Sequence, residues 1–277
     1  MERLLVTDSP STPDQTSPKI DITTAHTARI WNYWLGGKDN YPIDREVGDQ
    51  IRRLHPGIGD YARADRAFLG RAVRYLAGEA EIDQFLDIGT GLPTVDNTHE
   101  VAQRVAPASR VVYVDNDPLV LAHARALLTS TREGATDYID ADLHDPGKIL
   151  AEAAQTLDFD KPVAVTMLGV VIFINEDEEA YSIVRQFLDA VPSGSYLVLS
   201  HTITSPEMPD VDAAVAFWNE HGTPKLTQRT PEQMARFFDG LELLEPGVVS
   251  CSRWRPEDTP WGVPDEVAMF GGVGRKP

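Results

Sequence analysis

Alternation is the strongest constraint in this sequence. From residue 84 onward, short apolar runs take turns with stretches of helical periodicity. Segments 84–88, 110–114, 137–141, 162–168 and 195–200 read as strands, and 97–105, 118–128, 146–154 and 177–191 as the helices between them. Parallel strands cannot be joined by a tight hairpin, so each helix is a crossover, right-handed by the usual rule. The expected architecture is α/β, a mostly parallel sheet with helices on both faces. After His201 a polar loop leads to a helix near 211–219. Thr230-Pro231-Glu232-Gln233 is a capping box that opens another helix, to about Phe238. Two last strands are expected near 247–254 and 267–272.

Three helices precede the first strand. Ile30, Trp31, Trp34 and Leu35 share a face that Gly36-Gly37 ends, a second helix spans 44–54, and a third spans 60–77 with Tyr61, Ala64, Phe68, Ala72, Tyr75 and Leu76 as its stripe. They read as a helical cap over residues 21–79, with the ligand-binding domain at 80–277. Residues 1–20 are expected to form a disordered tail, because the Ser, Thr, Pro, Asp and Gln of 9–18 offer too little apolar surface to offset ordering.

The first strand runs into Phe85-Leu86-Asp87-Ile88-Gly89-Thr90-Gly91-Leu92-Pro93-Thr94. Glycine suits a strand-to-helix turn where the backbone bends sharply and a ligand comes close. The second strand ends in Asp115, followed by Asn116, about 24 residues past Gly91 and near the ~20 of a nucleotide fold. The third ends in Asp140-Ala141-Asp142-Leu143. Each Asp alone could be a helix cap or a turn former, but three consecutive strands closing on acids point to a ligand. Asp115 can accept from both ribose hydroxyls, and a carboxylate at the third strand from an adenine amine. A dinucleotide fingerprint wants a third glycine where Thr94 stands, and Asp87 would repel a pyrophosphate while suiting an ammonium. S-adenosylmethionine (SAM) carries an ammonium, an adenosine and a sulfonium, so it matches three acids where NAD matches one.

Charge narrows the partners. Lys and Arg number 25 against 43 Asp and Glu, a net charge of −18. Nucleic-acid affinity rests on cations neutralising phosphates, so no nucleic-acid partner is expected. One cysteine, Cys251, allows no internal disulfide and no thiolate cage, and no metal is expected. No run reaches the ~20 apolar residues of a membrane helix, and a cytoplasmic location is expected.

The sequence resembles the class I SAM-dependent methyltransferases, and more narrowly an actinobacterial family first catalogued as a domain of unknown function. The residues that carry the resemblance are 36–40 (GGKDN), 66–69 (RAFL), 85–94 (FLDIGTGLPT), 99–103 (HEVAQ), 112–118 (VYVDNDP) and 194–201 (GSYLVLSH). It implies a Rossmann-like, seven-stranded sheet whose last strand is antiparallel. It implies that Asp87, Gly89 and Gly91 surround the methionine end, that Asp115 takes the ribose and that Asp142 with Leu143 brackets the adenine, with Leu168-Gly169 beside the methyl group; Thr90 and Asn116 are expected among the cofactor contacts. The chain departs from the family pattern at Trp31-Asn32 and Ile172-Phe173.

Methyl transfer from a sulfonium is an in-line displacement that needs alignment and exclusion of water, helped by a base when the nucleophile is a hydroxyl. Of seven histidines, His201 is the best placed, at the carboxyl end of the fifth strand; His26, His55, His123, His144 and His221 have no such placement. The segment around Gly36-Gly37 reads as a hinged lid, with Tyr33 or Asn40 touching the cofactor. The expected function is methylation of a small-molecule acceptor on oxygen, nitrogen or carbon. Its alternatives are a non-catalytic SAM-binding protein and an NAD-dependent oxidoreductase.

Overall fold

A computed structural model describes residues 21–127, 129–258 and 262–277; the expected tail at 1–20 lies outside them. The described elements run α1 (Thr27–Trp34), α2 (Pro42–Leu54), α3 (Ile58–Gly78), β1 (Gln84–Ile88), α4 (Thr98–Val105), β2 (Arg110–Asp115), α5 (Pro118–Leu127), β3 (Ala135–Asp140), α6 (Pro146–Ala153), β4 (Ala164–Leu168), a 3-10 turn (Val171–Phe173), α7 (Asp177–Asp189), β5 (Tyr196–Thr202), α8 (Pro209–His221), α9 (Pro231–Ala235), a second 3-10 turn (Arg236–Phe238), β6 (Glu242–Leu243), β7 (Val249–Ser250) and β8 (Met269–Arg275).

The strands form one sheet in the order β3-β2-β1-β4-β5-β8-β6, with β7 paired on β8. Neighbours from β3 through β5 are parallel, and β8 runs antiparallel to β5, β6 and β7. The seven expected strands are present, with β7 and the antiparallel last strand β8 near the two expected at 247–254 and 267–272, and the two-residue β6 is an eighth. The strand β6 was not expected: both of its residues are exposed and show no apolar alternation. Reversal of order at β1, whose neighbours are β2 and β4, opens the crevice where α/β sheets bind ligands.

Helix α3 is packed into the same core as the sheet. Its Phe68, Ala72, Val73 and Leu76 are completely buried and share one continuous cluster with Phe85, Val112, Val165 and Leu199. The approach of α3 to β8 needs a residue without a side chain, because a Cβ on Gly271 would lie 2.7 Å from the Phe68 ring and 2.9 Å from Cys251 Sγ. Trp254 meets Phe68 edge-on at 5.3 Å and closes that side. No helix among the described residues is long and apolar enough to cross a membrane.

Candidate functional site

The turn after β1 is built by its glycines. Gly89 has φ +74°, and a Cβ there would fall 2.3 Å from Val170 in the loop after β4. Gly91 has φ +65° with open space where its Cβ would be. The turn is tied to β2: the Gly89 and Thr90 amides donate to the Val114 carbonyl at 2.8 and 3.2 Å, and the Gly91 amide to Asp115 Oδ2 at 2.9 Å. Asp117 donates its amide to the other Asp115 oxygen at 2.9 Å. Two backbone donors therefore fix the carboxylate at the strand end, and its burial raises its pKa in spite of them.

Two more carboxyls are deeper. Asp87 accepts from the hydroxyls of Thr98 (2.6 Å) and Thr166 (2.9 Å). Asp65, on α3, accepts from Ser200 Oγ at 2.6 Å, and Ser200 Oγ in turn accepts the Gly169 amide at 3.0 Å. Burial pushes both carboxyls up, Asp65 to about 6. Asp142 differs: its partial burial is outweighed by the amide and ring of His144 and the amide of Asn116, so it is held below the usual carboxylate range.

These groups converge on one cavity of about 520 Å³, within the size of small-molecule sites. Asp87, Gly89, Thr90, Gly91, Asp115, Asn116, Asp142, Leu143, Leu168 and Gly169 all line it. So do residues that the sequence did not single out for the site: Asp65 and Arg66 from α3, His26, Trp31, Asn32 and Leu35 from the first helical segment, and the Thr223-Pro224 loop. The Arg66 guanidinium donates to the carbonyls of Val95 and Asp96, at 3.4 and 3.2 Å.

Three expected residues are placed elsewhere. Tyr33 points from α1 toward α2, where its hydroxyl donates to Asp49 at 2.7 Å; helical spacing gives the cleft face to Ala28, Trp31, Asn32 and Leu35. Asn40 stands behind that wall, donating to Asn32 Oδ1 and the Gly37 carbonyl, both at 3.0 Å. His201 is not in the cleft. Alternation along β5 turns Ser200 and Thr202 toward α3, where they meet Asp65 and Tyr61, and sends His201 through the opposite face. There its Nδ1 lies 2.8 Å from the Thr202 carbonyl and its Nε2 2.7 Å from Arg229 Nη1. Burial, then the Arg229 charge, holds it down to about 3. With both nitrogens engaged, it is a neutral core residue.

A second chamber, about 110 Å³ and mostly apolar, adjoins the cleft; Thr27, Trp31, Gly169 and Phe173 line both.

The large cleft suits SAM. Asp65, Asp87, Asp115 and Asp142 face it with Arg66 as its one arginine, a donor set that favours a ligand bearing an ammonium and a sulfonium over a pyrophosphate. The open space at Gly91, beside the anchored Asp115 carboxylate, is where a nucleoside can approach the backbone.

Comparison with known proteins agrees. A family model described as S-adenosyl methyltransferase matches residues 13–277. The fold is similar to that of a DUF574 family protein from Streptomyces avermitilis, at 48% identity and a TM-score of 0.88, over 94% of this chain and 100% of that one. It is also similar to a candidate methyltransferase from Thermobifida fusca, at 39% identity and a TM-score of 0.85, over 95% of this chain and 98% of the other. No curated protein matches the chain. The chain belongs to the S-adenosyl methyltransferase family, and S-adenosylmethionine is its cofactor.

Proposed function

We propose that this methyltransferase acts on a small-molecule acceptor and that the anchored acids of the large cleft divide the cofactor between them. Asp115 would take the ribose hydroxyls, with Asn116 beside it, and Asp142 with Leu143 the adenine. Asp87 and Asp65 would face the ammonium, and Arg66 the carboxylate. Leu168 and Gly169, at the end of β4, would border the reacting methyl group, and the α1 wall of Trp31, Asn32 and Leu35 would exclude water. When bound, the cofactor supplies a methyl carbon already activated by a sulfonium, so the protein's task is alignment and desolvation.

One observation carries the reading: ten residues picked from separate strand ends line a single cavity. A small acceptor is favoured by the adjoining chamber, whose size admits at most one ring, and by a net charge of −18, which disfavours a polyanion.

Calorimetric titration with SAM, S-adenosylhomocysteine and NAD tests the assignment. Wild type should bind the first two and not NAD. Asp115→Ala should weaken both by roughly 10- to 100-fold, the scale of a lost charged hydrogen bond. Unchanged affinity in that variant would remove Asp115 from the site. For the acceptor, S-adenosylhomocysteine release should follow addition of the low-molecular-weight fraction of a cell extract. Release with the macromolecular fraction alone would overturn the small-molecule reading.

A further inference from the structure

His55 has an arrangement that cofactor binding does not use. It caps the end of α2, and its Nδ1 stands 2.5 Å from Asp210 Oδ2 at the start of α8. A carboxylate there accepts from Nδ1–H, which leaves the lone pair of the neutral ring on Nε2. That Nε2 is buried and has no hydrogen-bond partner among the described residues. A buried acceptor left so is costly and is the natural place for an arriving donor.

The imidazole is part of the wall of the apolar chamber. Three other polar groups of that wall have partners: the Tyr61 hydroxyl lies 2.5 Å from Thr202 Oγ1, Trp34 Nε1 donates to the Gly48 carbonyl at 3.2 Å, and Trp218 Nε1 to the Pro224 carbonyl at 2.7 Å. The chamber offers flat apolar surfaces and adjoins the cofactor cleft at Gly169 and Phe173, and the unpartnered Nε2 belongs to one of its wall residues. Its volume of about 110 Å³ is below the ~150 Å³ of an apolar cavity that takes benzene, so it holds at most one ring, with part of that ring in the junction with the cofactor cleft. On its other side His55 lines an outer cleft shared with Asp60 and Asp265, a path for a proton to reach solvent.

We propose that this chamber is the acceptor site, that its acceptor is a single-ring hydroxyl compound of phenolic type, and that His55, oriented by Asp210, is the general base. This rests on the reading of the large cleft as the cofactor site. The acceptor hydroxyl gives its proton to His55 Nε2 as its oxygen takes the methyl carbon; the electrons of the broken carbon–sulfur bond stay on sulfur, leaving a neutral thioether. Asp210 stabilises the imidazolium until it releases its proton toward the outer cleft.

The test uses the full chain saturated with S-adenosylhomocysteine and reads binding rather than turnover. Trp31, Trp34 and Trp218 line the chamber, so phenol should quench tryptophan fluorescence saturably. Ala214→Phe, which fills the chamber, should weaken phenol at least tenfold with S-adenosylhomocysteine affinity retained. 4-Nitrophenol bound at pH 6 should show its phenolate absorption band in wild type. The band should vanish in His55→Gln and shrink in Asp210→Asn, a milder change that keeps the test alive if the first variant does not fold. Phenol binding indifferent to Ala214→Phe, or bound nitrophenol that stays neutral in wild type, would overturn the proposal and leave the cofactor site standing. Failure of wild type to bind S-adenosylhomocysteine would overturn both.

Discussion

The Asp65 carboxyl is 4% exposed, has Ser200 as its hydrogen-bond donor, and has Asp87 and the Cys251 thiol as neighbours. Arg66 on the same helix lowers its pKa less than burial raises it. A raised folded-state pKa means that the native protein holds the proton more tightly than the unfolded chain. The stability this contributes is fully present below the unfolded value of about 4 and is lost as pH rises through about 6. A rise of about two units corresponds to at most about 3 kcal/mol, and roughly half of it is lost between pH 5 and pH 7.5. Asp65→Asn keeps an oxygen for Ser200 and has nothing to titrate. Without cofactor, the variant should gain about 1–2 kcal/mol on wild type between those pH values, measured by urea unfolding. Parallel pH profiles would show that Asp65 is ionised throughout.

At the scale of elements, β5 sends alternate side chains into two different environments. His201 stacks near Phe237 at 6.4 Å and accepts from Arg229. Arg229 is itself fully buried, and also donates to Asp177 Oδ1 at 3.0 Å and to the carbonyls of Val171 and Ile174. One guanidinium thus braces the 3-10 turn after β4, whose Ile172 and Phe173 face the apolar chamber. Arg229→Met would remove a donor from the Val171 and Ile174 carbonyls and from Asp177 Oδ1, leaving Asp177 only Gln233 on its other oxygen, and should cost about 3 kcal/mol. His201→Leu, which removes an acceptor for Arg229 and a donor to the Thr202 carbonyl, should cost about 1–2 kcal/mol and leave S-adenosylhomocysteine affinity unchanged. Urea midpoints beside calorimetry separate the outcomes; loss of turnover in His201→Leu with stability intact would restore His201 as a base. The same strand shows where sequence reading stops. Strand ends, the glycine turn and Asp87, Asp115 and Asp142 were legible because each lies in a local pattern whose geometry follows from the chain itself. Asp65, Arg66, Asn32 and His55 were not, because a helical residue enters the cleft only once the angle at which its helix docks is set. His201 misled for the same reason: its position at a strand end is local, but which face it takes depends on the register of a strand buried on both sides.

For the whole molecule, the deficit of 18 positive charges surrounds a cleft lined by four aspartates. The cofactor and its product differ in a way this field can sense. S-adenosylmethionine carries an ammonium and a sulfonium against one carboxylate, a net positive charge, whereas S-adenosylhomocysteine has lost the sulfonium and is neutral overall. An anionic protein draws the first toward the cleft and is indifferent to the second. Salt shortens the reach of this attraction, from a Debye length of about 30 Å at 0.01 M to about 3 Å at 1 M. The ratio of S-adenosylmethionine to S-adenosylhomocysteine affinity should therefore fall by roughly threefold or more across that range. Taking the ratio cancels salt effects on burial of the shared adenosine. A flat ratio would mean that local hydrogen bonds alone distinguish the two forms and that the global charge acts on solubility. A falling ratio would mean that the field itself favours loading of the methyl donor and release of the spent form.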